Sequence, residues 1–340
     1  MSINASNTGP AGAMPPGAVA NSNNEKRPLR VRIPGLLDVV VVSEPKQIEE
    51  LNQHPTVTRN INAGSGLLHR IVANRLLSDL SFHGKLLPVF LPREDLERAR
   101  RQKHLDNQLE DLRGAPGPES AEIAAYVSGV KDALEIGVQV QQWCGKLFLA
   151  HYRATRESYE AGKLIAGWAS APPWRTLFDK LSGKLDRAKE LLSEAAEGDP
   201  HVIHATAIGM ENITKTVRKL RRAAYDPEKQ RLSPDDILRE CLAAPPAVLR
   251  TCTDQVRVSF LAEPLDSRSL IVFLVAKAYT SSGDLDVAFL GDQWSACPAR
   301  RVVPEMLRSA WHTANHDEPK KKDDSVLAKI NGWGRLLRNS

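Results

Sequence analysis

Apolar and polar positions along the chain fall into two textures, and helical spacing governs most of the length. Between Gly66 and Leu80 the residues Leu67, Leu68, Ile71, Val72, Leu76, Leu77 and Leu80 recur at three- and four-residue intervals, which predicts one helix face. Arg93 to Leu112 is densely charged and rich in helix formers, and that helix should stop at Gly114, where Ala115-Pro116-Gly117-Pro118 breaks the pattern. Ser120 to Ala169 predicts one or two helices, Trp174 to Glu197 another, and Pro200 to Ala224 a third, with Gly198-Asp199-Pro200 as punctuation between the last two. Ser233-Pro234-Asp235 caps a short helix running to Ala244, and Pro245-Pro246 ends it. The second texture is extended. Val31 to Val42, with Leu36, Leu37 and the run Val39 to Val42, predicts a buried strand closed by Ser43-Glu44-Pro45, followed by a helix from Pro45 to His54. Val256-Arg257-Val258 and Leu270 to Val275 are β-rich, Thr280 to Pro298 reads as an irregular loop, and a helix from Arg301 to Ala314 closes the pattern. No internal repeat is visible. The fold class is mainly α with a small β part.

Composition sharpens this reading. Aromatic residues make up 5% of the chain against 42% hydrophobic, so Leu, Ala and Val must build the core, which suits helix packing better than a β-sandwich. Residues 1–28, rich in Gly, Pro, Ala, Ser and Asn, are expected to form a disordered leader without the basic start or apolar centre of a secretory signal. The folded domain is expected over 29–315 and a basic tail over 316–340. The net charge of +5 arises from 46 basic and 41 acidic residues, and the clusters Arg98 to Lys103, Arg218 to Arg222 and Lys320 to Lys322 read as solvated faces rather than a nucleic-acid surface. No apolar run approaches the ~20 residues needed to span a bilayer. Cys144, Cys241, Cys252 and Cys297 are too widely spaced for a zinc knuckle or a disulfide framework, which fits a reducing cytoplasm. His201 and His204 form the one close histidine pair, and they lack the companion Glu or His of a non-haem metal centre.

Four stretches carry candidate chemistry. Phe289-Leu290-Gly291-Asp292-Gln293-Trp294-Ser295-Ala296-Cys297-Pro298-Ala299 leads directly into a helix, where free N–H groups and the nearby Arg300 and Arg301 favour a thiolate. Ala207-Ile208-Gly209-Met210-Glu211-Asn212-Ile213-Thr214 places Gly209 in mid-helix at a cost of about 1 kcal/mol relative to Ala. Either a flat cofactor or a tight helix crossing would explain a missing side chain there. Ile237 to Pro246 is a helix ending in Pro-Pro, with Arg250 beyond it, and Pro92 to Leu105 carries Arg98, Arg100 and Arg101. A guanidinium takes a carboxylate through two hydrogen bonds, which makes Arg100 a candidate partner for an acid.

Taken in their order along the chain, from Pro92 to Ala299, the four stretches resemble the cytochrome P-450 family, in a shortened and divergent form. The resemblance implies a truncated cytochrome P-450-like helical fold that holds heme b, iron protoporphyrin IX, with Cys297 as the iron ligand. It further implies that Gly209 lies against the haem, that Glu211, Asn212 and Thr214 form the catalytic stretch above it, and that Arg100 and Arg250 neutralise the propionates. The chain departs from the family pattern in several places. Phe289 stands one residue too far from Cys297, Ser295 replaces a basic residue, and Ala299 replaces a glycine. Leu96 stands for a histidine, and Ala243 for the arginine that would pair with Glu240. The implied activity is that of a haem-thiolate oxidoreductase, a monooxygenase of an apolar small molecule or lipid supplied with electrons by a ferredoxin or flavin reductase. Asn212 or Ile213 stands at the family's threonine position, with Thr214 one step later, and Asn212 resembles the asparagine of the allene oxide synthases, which implies a fatty-acid hydroperoxide isomerase or lyase as the alternative. The missing arginine, altered loop and short length leave a third reading, a catalytically inactive helical interaction protein.

Overall fold

The computed structural model describes residues 27–34, 37–92, 94–111, 118–168, 171, 173–291 and 294–316. The expected leader and basic tail lie outside these, apart from residues 27, 28 and 316. The strand expected over Val31 to Val42 is a hairpin instead. Leu29–Ile33 (β1) turns at Pro34 and pairs antiparallel with Leu37–Val42 (β2). Pro45–Gln53 (α1) follows with its proline at the first turn, where no backbone N–H is needed, and buries Ile48 and Leu51. Val57–Thr58 (β3) leads to Leu67–Leu80 (α2), the hairpin Ser81–Phe82 (β4) with Lys85–Leu86 (β5), and Leu96–Asp111 (α3). Leu67 and Ile71 are exposed, so the apolar face read from the sequence of α2 is covered only in part.

The middle of the chain is all helix and more finely divided than its pattern suggests. Pro118–Val127 (α4), Ala133–Lys146 (α5) and Arg156–Trp168 (α6) replace the one or two helices expected. Gly129 adopts φ +94 between α4 and α5, and Asp132 caps α5 by accepting from the N–H groups of Leu134 and Glu135. Pro173–Leu181 (α7) and Lys184–Ala195 (α8) are separated at Gly183 in the left-handed region. Pro200–His204 (α9) continues through a π-helical turn, Ala205–Gly209, into Met210–Ala223 (α10). The widened turn has a local cause. Gln141 donates through Nε2 to the carbonyl of Thr206 at 3.0 Å and to that of Ser158 at 2.9 Å, drawing the Thr206 carbonyl towards α5.

Pro234–Cys241 (α11) precedes Val248–Cys252 (β6), Ser269–Phe273 (β7), Val275–Ser282 (α12), Leu285–Phe289 (α13) and Val303–His316 (α14). The sheet order is β1-β2-β7-β6-β3, with β2 and β7 parallel and the other pairs antiparallel. The β-rich reading at Val256 to Val258 reduces to one bridge, Val256 with Leu265, and part of the expected Thr280 to Pro298 loop is helical. Three apolar clusters hold the parts together. One joins α4, α5, α10 and α14 through Val127, Val140, Val217 and Leu307; one backs the sheet through Val40, Leu51 and Phe273; one joins α6, α8 and α9 through Ile165, Leu192 and Ile203. Each such side chain contributes roughly 1.5–3 kcal/mol by leaving water.

Candidate functional site

The loop between α13 and α14 brings Cys297 to the surface of the helical cluster. Its N–H donates to the carbonyl of Phe289 at 2.8 Å, closing the loop on the end of α13, and its own carbonyl accepts from Arg300 N at 3.2 Å as a 3₁₀ turn, Pro298–Arg301, begins. The thiol is accessible to solvent, yet protein surrounds it closely enough that burial raises its pKa, while the N–H of Ala299 and the charge of Arg59 oppose that rise. A thiol that is reachable but hemmed in by protein can ligate a group placed on its open side. The other three cysteines are buried, and burial pushes Cys144 and Cys252 up to about 12 and Cys241 to about 11, so they are inert thiols.

A buried polar network braces this loop. Arg250, 2% exposed, donates through Nε to Asn52 Oδ1 at 2.9 Å, through Nη2 to Ser295 Oγ at 3.1 Å and through Nη1 to the carbonyl of Leu249 at 2.9 Å. Asn52 on α1 donates from Nδ2 to the same Ser295 hydroxyl at 2.7 Å and accepts at its carbonyl from Trp294 Nε1 at 2.8 Å. The guanidinium of Arg250 also lies 5.7 Å from the Trp294 ring centroid. The expected partner of a carboxylate is thus engaged beneath the loop. A second cation reaches the same residues from the opposite side. Arg59, after β3, donates to the carbonyl of Ser295 at 2.5 Å and stacks 5.0 Å over Trp294, and its charge acts on both the Cys297 thiol and the His204 imidazole.

The helix from α9 to α10 supplies the opposing wall. Gly209 has helical angles, and a Cβ built on it meets nothing within 4 Å, so space lies open beside it. Ala205 and Ala299 pack against the same cluster as Cys144, whose thiol feels the charge of Cys297, which brings the π-helical turn and the cysteine loop together around the end of α5. The expected catalytic stretch divides. Thr214 is fully buried, its hydroxyl directed to Met210 Sδ at 3.6 Å, and it turns into the core rather than towards the loop. Glu211, 12% exposed, lies 3.5 Å from Lys215 and acts on Tyr159 of α6, whose hydroxyl accepts from Arg218 at 2.8 Å. Asn212 is half-buried, and its carbonyl accepts from Thr216 Oγ1.

Arg100 does not join this group. It is exposed on the side of α3 opposite the buried Leu105 and Leu109, while its neighbour Arg101 pairs with Asp199, the N-cap of α9. Glu240, without its arginine, pairs with Lys229, and Ala243 instead ties the end of α11 to α10 by donating its N–H to Thr216 Oγ1 at 2.9 Å. Two contributors escaped the sequence reading: Asn52 and Arg59 lie far from the motif stretches, in a segment whose pattern spoke only of a strand and a helix. His204 Nδ1 is buried without a hydrogen-bond partner, whereas His201 Nδ1 lies 3.4 Å from Asp199 Oδ1. Among the described residues no group of three or more His, Cys, Asp or Glu is placed to hold a metal ion.

A mainly helical body, a small mixed sheet, a long helix with a π-helical turn and a cysteine loop entering the last helix make up one architecture, and the chain has the cytochrome P450 fold. It is similar to CYP154A1 from Streptomyces coelicolor A3(2), with a TM-score of 0.57 and 10% identity over 84% of this chain and 85% of that one. CYP164A2 from Mycobacterium smegmatis, in a structure with econazole bound, gives 0.54 and 12% over 82% and 84%. CYP154C4 from Streptomyces sp. ATCC 11861 gives 0.53 and 15% over 85% and 84%. No protein-family model matches the sequence, and no curated protein matches it. No helix among the described residues is long and apolar enough to cross a membrane.

Proposed function

We propose that the chain is a haem-thiolate oxidoreductase, a cytochrome P450-like monooxygenase of an apolar small molecule or lipid, with Cys297 ligating heme b. The observation that carries this reading is the Cys297 thiol itself, reachable by solvent, beside the Ala299 N–H, on a loop braced by Arg250 and Asn52 within this fold. The residues present fit such a group. A thiolate donor is available, space is open beside Gly209, and Arg59 supplies a cation near the thiol for a carboxylate that Arg100 does not face. When bound, haem with a thiolate ligand supplies oxygen-transfer chemistry by favouring O–O cleavage. The chain's own residues position that group: Ser295 and Trp294 are held by Arg250, Asn52 and Arg59, and Gly209 leaves room above. Electrons would come from a ferredoxin or flavin reductase, since the sequence has no nucleotide-binding fingerprint.

The test is the spectrum of haem-loaded protein, reduced and bound to carbon monoxide. A Soret band at the thiolate-ligated position that Cys297→Ser abolishes while the fold persists supports the proposal; a featureless spectrum with excess haem refutes it. A second reading, a fatty-acid hydroperoxide isomerase or lyase, is favoured by the burial of Thr214, which leaves no hydroxyl at that position to deliver protons to oxygen. Consumption of a lipid hydroperoxide without any reductase decides for the second reading, and strict dependence on reductase and oxygen decides for the first.

A further inference from the structure

The π-helical turn Ala205–Gly209 hands one backbone acceptor to another helix. In an α-helix the N–H of Met210 would donate to the carbonyl of Thr206, four residues back. Here it donates to the carbonyls of Ala205 and Ala207, and the Thr206 carbonyl accepts instead from Gln141 Nε2 of α5 at 3.0 Å. Gln141 is fully buried, and both ends of its amide are engaged: the same nitrogen donates to the Ser158 carbonyl at 2.9 Å, and its oxygen accepts from Ser158 Oγ at 2.7 Å. A third helix makes room for this handover. A Cβ on Gly162 of α6 would lie 2.8 Å from the Thr206 oxygen and 3.0 Å from both Gln141 Nε2 and Met210 Cε, so a side chain there would push the carbonyl off the amide. The turn also sits where the long helix passes from one core to another. Before it, Val202 and Ile203 belong to the cluster of α6, α8 and α9; after it, Met210, Ile213 and Val217 belong to the cluster of α4, α5, α10 and α14. One inserted residue turns the two halves against each other by about 100° and shifts them by about 1.5 Å relative to an unbroken α-helix.

We propose that Gln141 is a positioning residue of the site: by taking the Thr206 carbonyl it holds the long helix one residue out of α register, and so sets how the stretch from Ala205 to Gly209 stands beside the cysteine loop. For its functional consequence the proposal rests on the haem-thiolate reading above; the hold on the helix does not. The turn ends at Gly209, where space is open, and begins at Ala205, which packs into the same cluster as Ala299, two residues after Cys297. Turns of this kind concentrate at functional sites. Once the Gln141 donors are gone, the Thr206 carbonyl regains its α-helical donor, Met210 N–H, and the return of that bond moves the turn and the residues it places beside the open space. The width of that space is therefore set from α5 and α6, by an amide whose hydrogen bonds go to Ser158 and Thr206 and by a glycine that lets the carbonyl approach. Gln141 and Gly162 thereby limit the size of the molecule that fits beside Gly209.

The experiment uses the full-length protein and two variants that undo the handover from opposite sides: Gln141→Leu, which removes both donors, and Gly162→Ala, whose methyl displaces the Thr206 carbonyl. Crystal structures of the haem-free variants read the helix. Imidazole and 4-phenylimidazole, titrated into haem-loaded protein and followed by the Soret shift, read the width of the space. The expected result is loss of the π turn with Met210 N–H on the Thr206 carbonyl, an unchanged thiolate-ligated carbon monoxide spectrum, and a change on the order of 10-fold in the ratio of the two dissociation constants. A π turn that persists in both variants overturns the hold assigned to Gln141. A lost π turn with the ratio unchanged overturns its role at the site. Should Gln141→Leu not fold, Gly162→Ala decides alone by the same readings, and failure of both to fold overturns the proposal, since the two residues would then serve stability only. A wild type without any thiolate-ligated spectrum sinks the haem reading and the role at the site with it, whereas the structures still decide whether Gln141 holds the turn.

Discussion

The brace under the cysteine loop makes a prediction whose sign depends on which partner is removed. Arg250 and Asn52 are 2% and 0% exposed, and the guanidinium finds Asn52 Oδ1 at 2.9 Å and Ser295 Oγ at 3.1 Å. Asn52→Leu takes from a buried cation its closest side-chain acceptor, a loss above the ~1–3 kcal/mol of a neutral group because the group left short is charged. Arg250→Met removes the charge along with its bonds, so no buried cation is left short and the penalty is that of weakened neutral hydrogen bonding around Asn52, about 1–3 kcal/mol. Ser295 Oγ keeps its bond from Asn52 Nδ2 in that variant. The double variant should therefore cost less than the sum of the singles, with a coupling of about 0.5–3 kcal/mol. Urea unfolding followed by circular dichroism measures all four species, and each kcal/mol corresponds to roughly 2–4 °C of Tm in a domain of this size. The fraction of protein that takes up haem with a thiolate spectrum should fall in the same order. If Asn52→Leu costs no more than Arg250→Met, or the two effects simply add, the network does not brace the loop as argued.

Gly209→Ala should stabilise the haem-free protein by up to about 1 kcal/mol, because Gly209 already has helical angles and open space beside it, yet weaken haem uptake; a less stable haem-free variant would contradict the open space. Thr214→Val should leave turnover and the pattern of products unchanged, since its hydroxyl reaches only Met210 Sδ in the core; a collapse of turnover with the Soret spectrum intact would restore it to the catalytic group. Stability of the haem-free protein should decline at both ends of the pH scale. Above about pH 8.5 the unfolded chain releases thiol protons that Cys144 and Cys252 keep until about 12 and Cys241 until about 11, so the folded state binds more protons and loses stability as pH rises. Between about 6.5 and about 4 the unfolded chain binds a proton that folded His204 refuses, so stability falls as pH falls, and His204→Gln should flatten that limb of the urea midpoint against pH.

Local pattern made α2, α3 and the long helix through Gly209 legible: α2 by its apolar spacing, α3 by its dense helix-forming charge, and the long helix by the Gly198-Asp199-Pro200 boundary before it. It failed where a short break carries no strong punctuation. The hairpin of β1 and β2 reads as one strand, since β1 is apolar at alternate positions, β2 is a nearly continuous apolar run, and the break between them is short. β6 went unrecognised because Val248 to Cys252 includes Arg250, a charge that pattern reading assigns to a surface and that here lies at 2% exposure on a sheet strand. Burial of that arginine is a tertiary fact. It depends on Asn52 and Ser295, far away in sequence on either side.

The same displacement explains why the site was only half readable. Motif spacing pointed to Cys297 and Gly209, whose proposed roles rest on local backbone that a sequence can show: a thiol at the mouth of a turn and a helix residue without a side chain. It pointed also to Thr214, Arg100 and the Glu240 helix, whose roles depend on which way a helix faces, and the structure turns each of them elsewhere. Losing the arginine opposite Glu240 did not leave the loop unsupported. Support passed to Arg250 and Asn52, which hold Ser295 at the position where a basic residue was expected, while Arg59 brings a positive charge to that same corner from the β3 side. A cation lost from the loop and another gained beside it keep the charge near the thiol similar with different residues. That is why a comparison of motifs finds a damaged site where the arrangement of side chains is coherent.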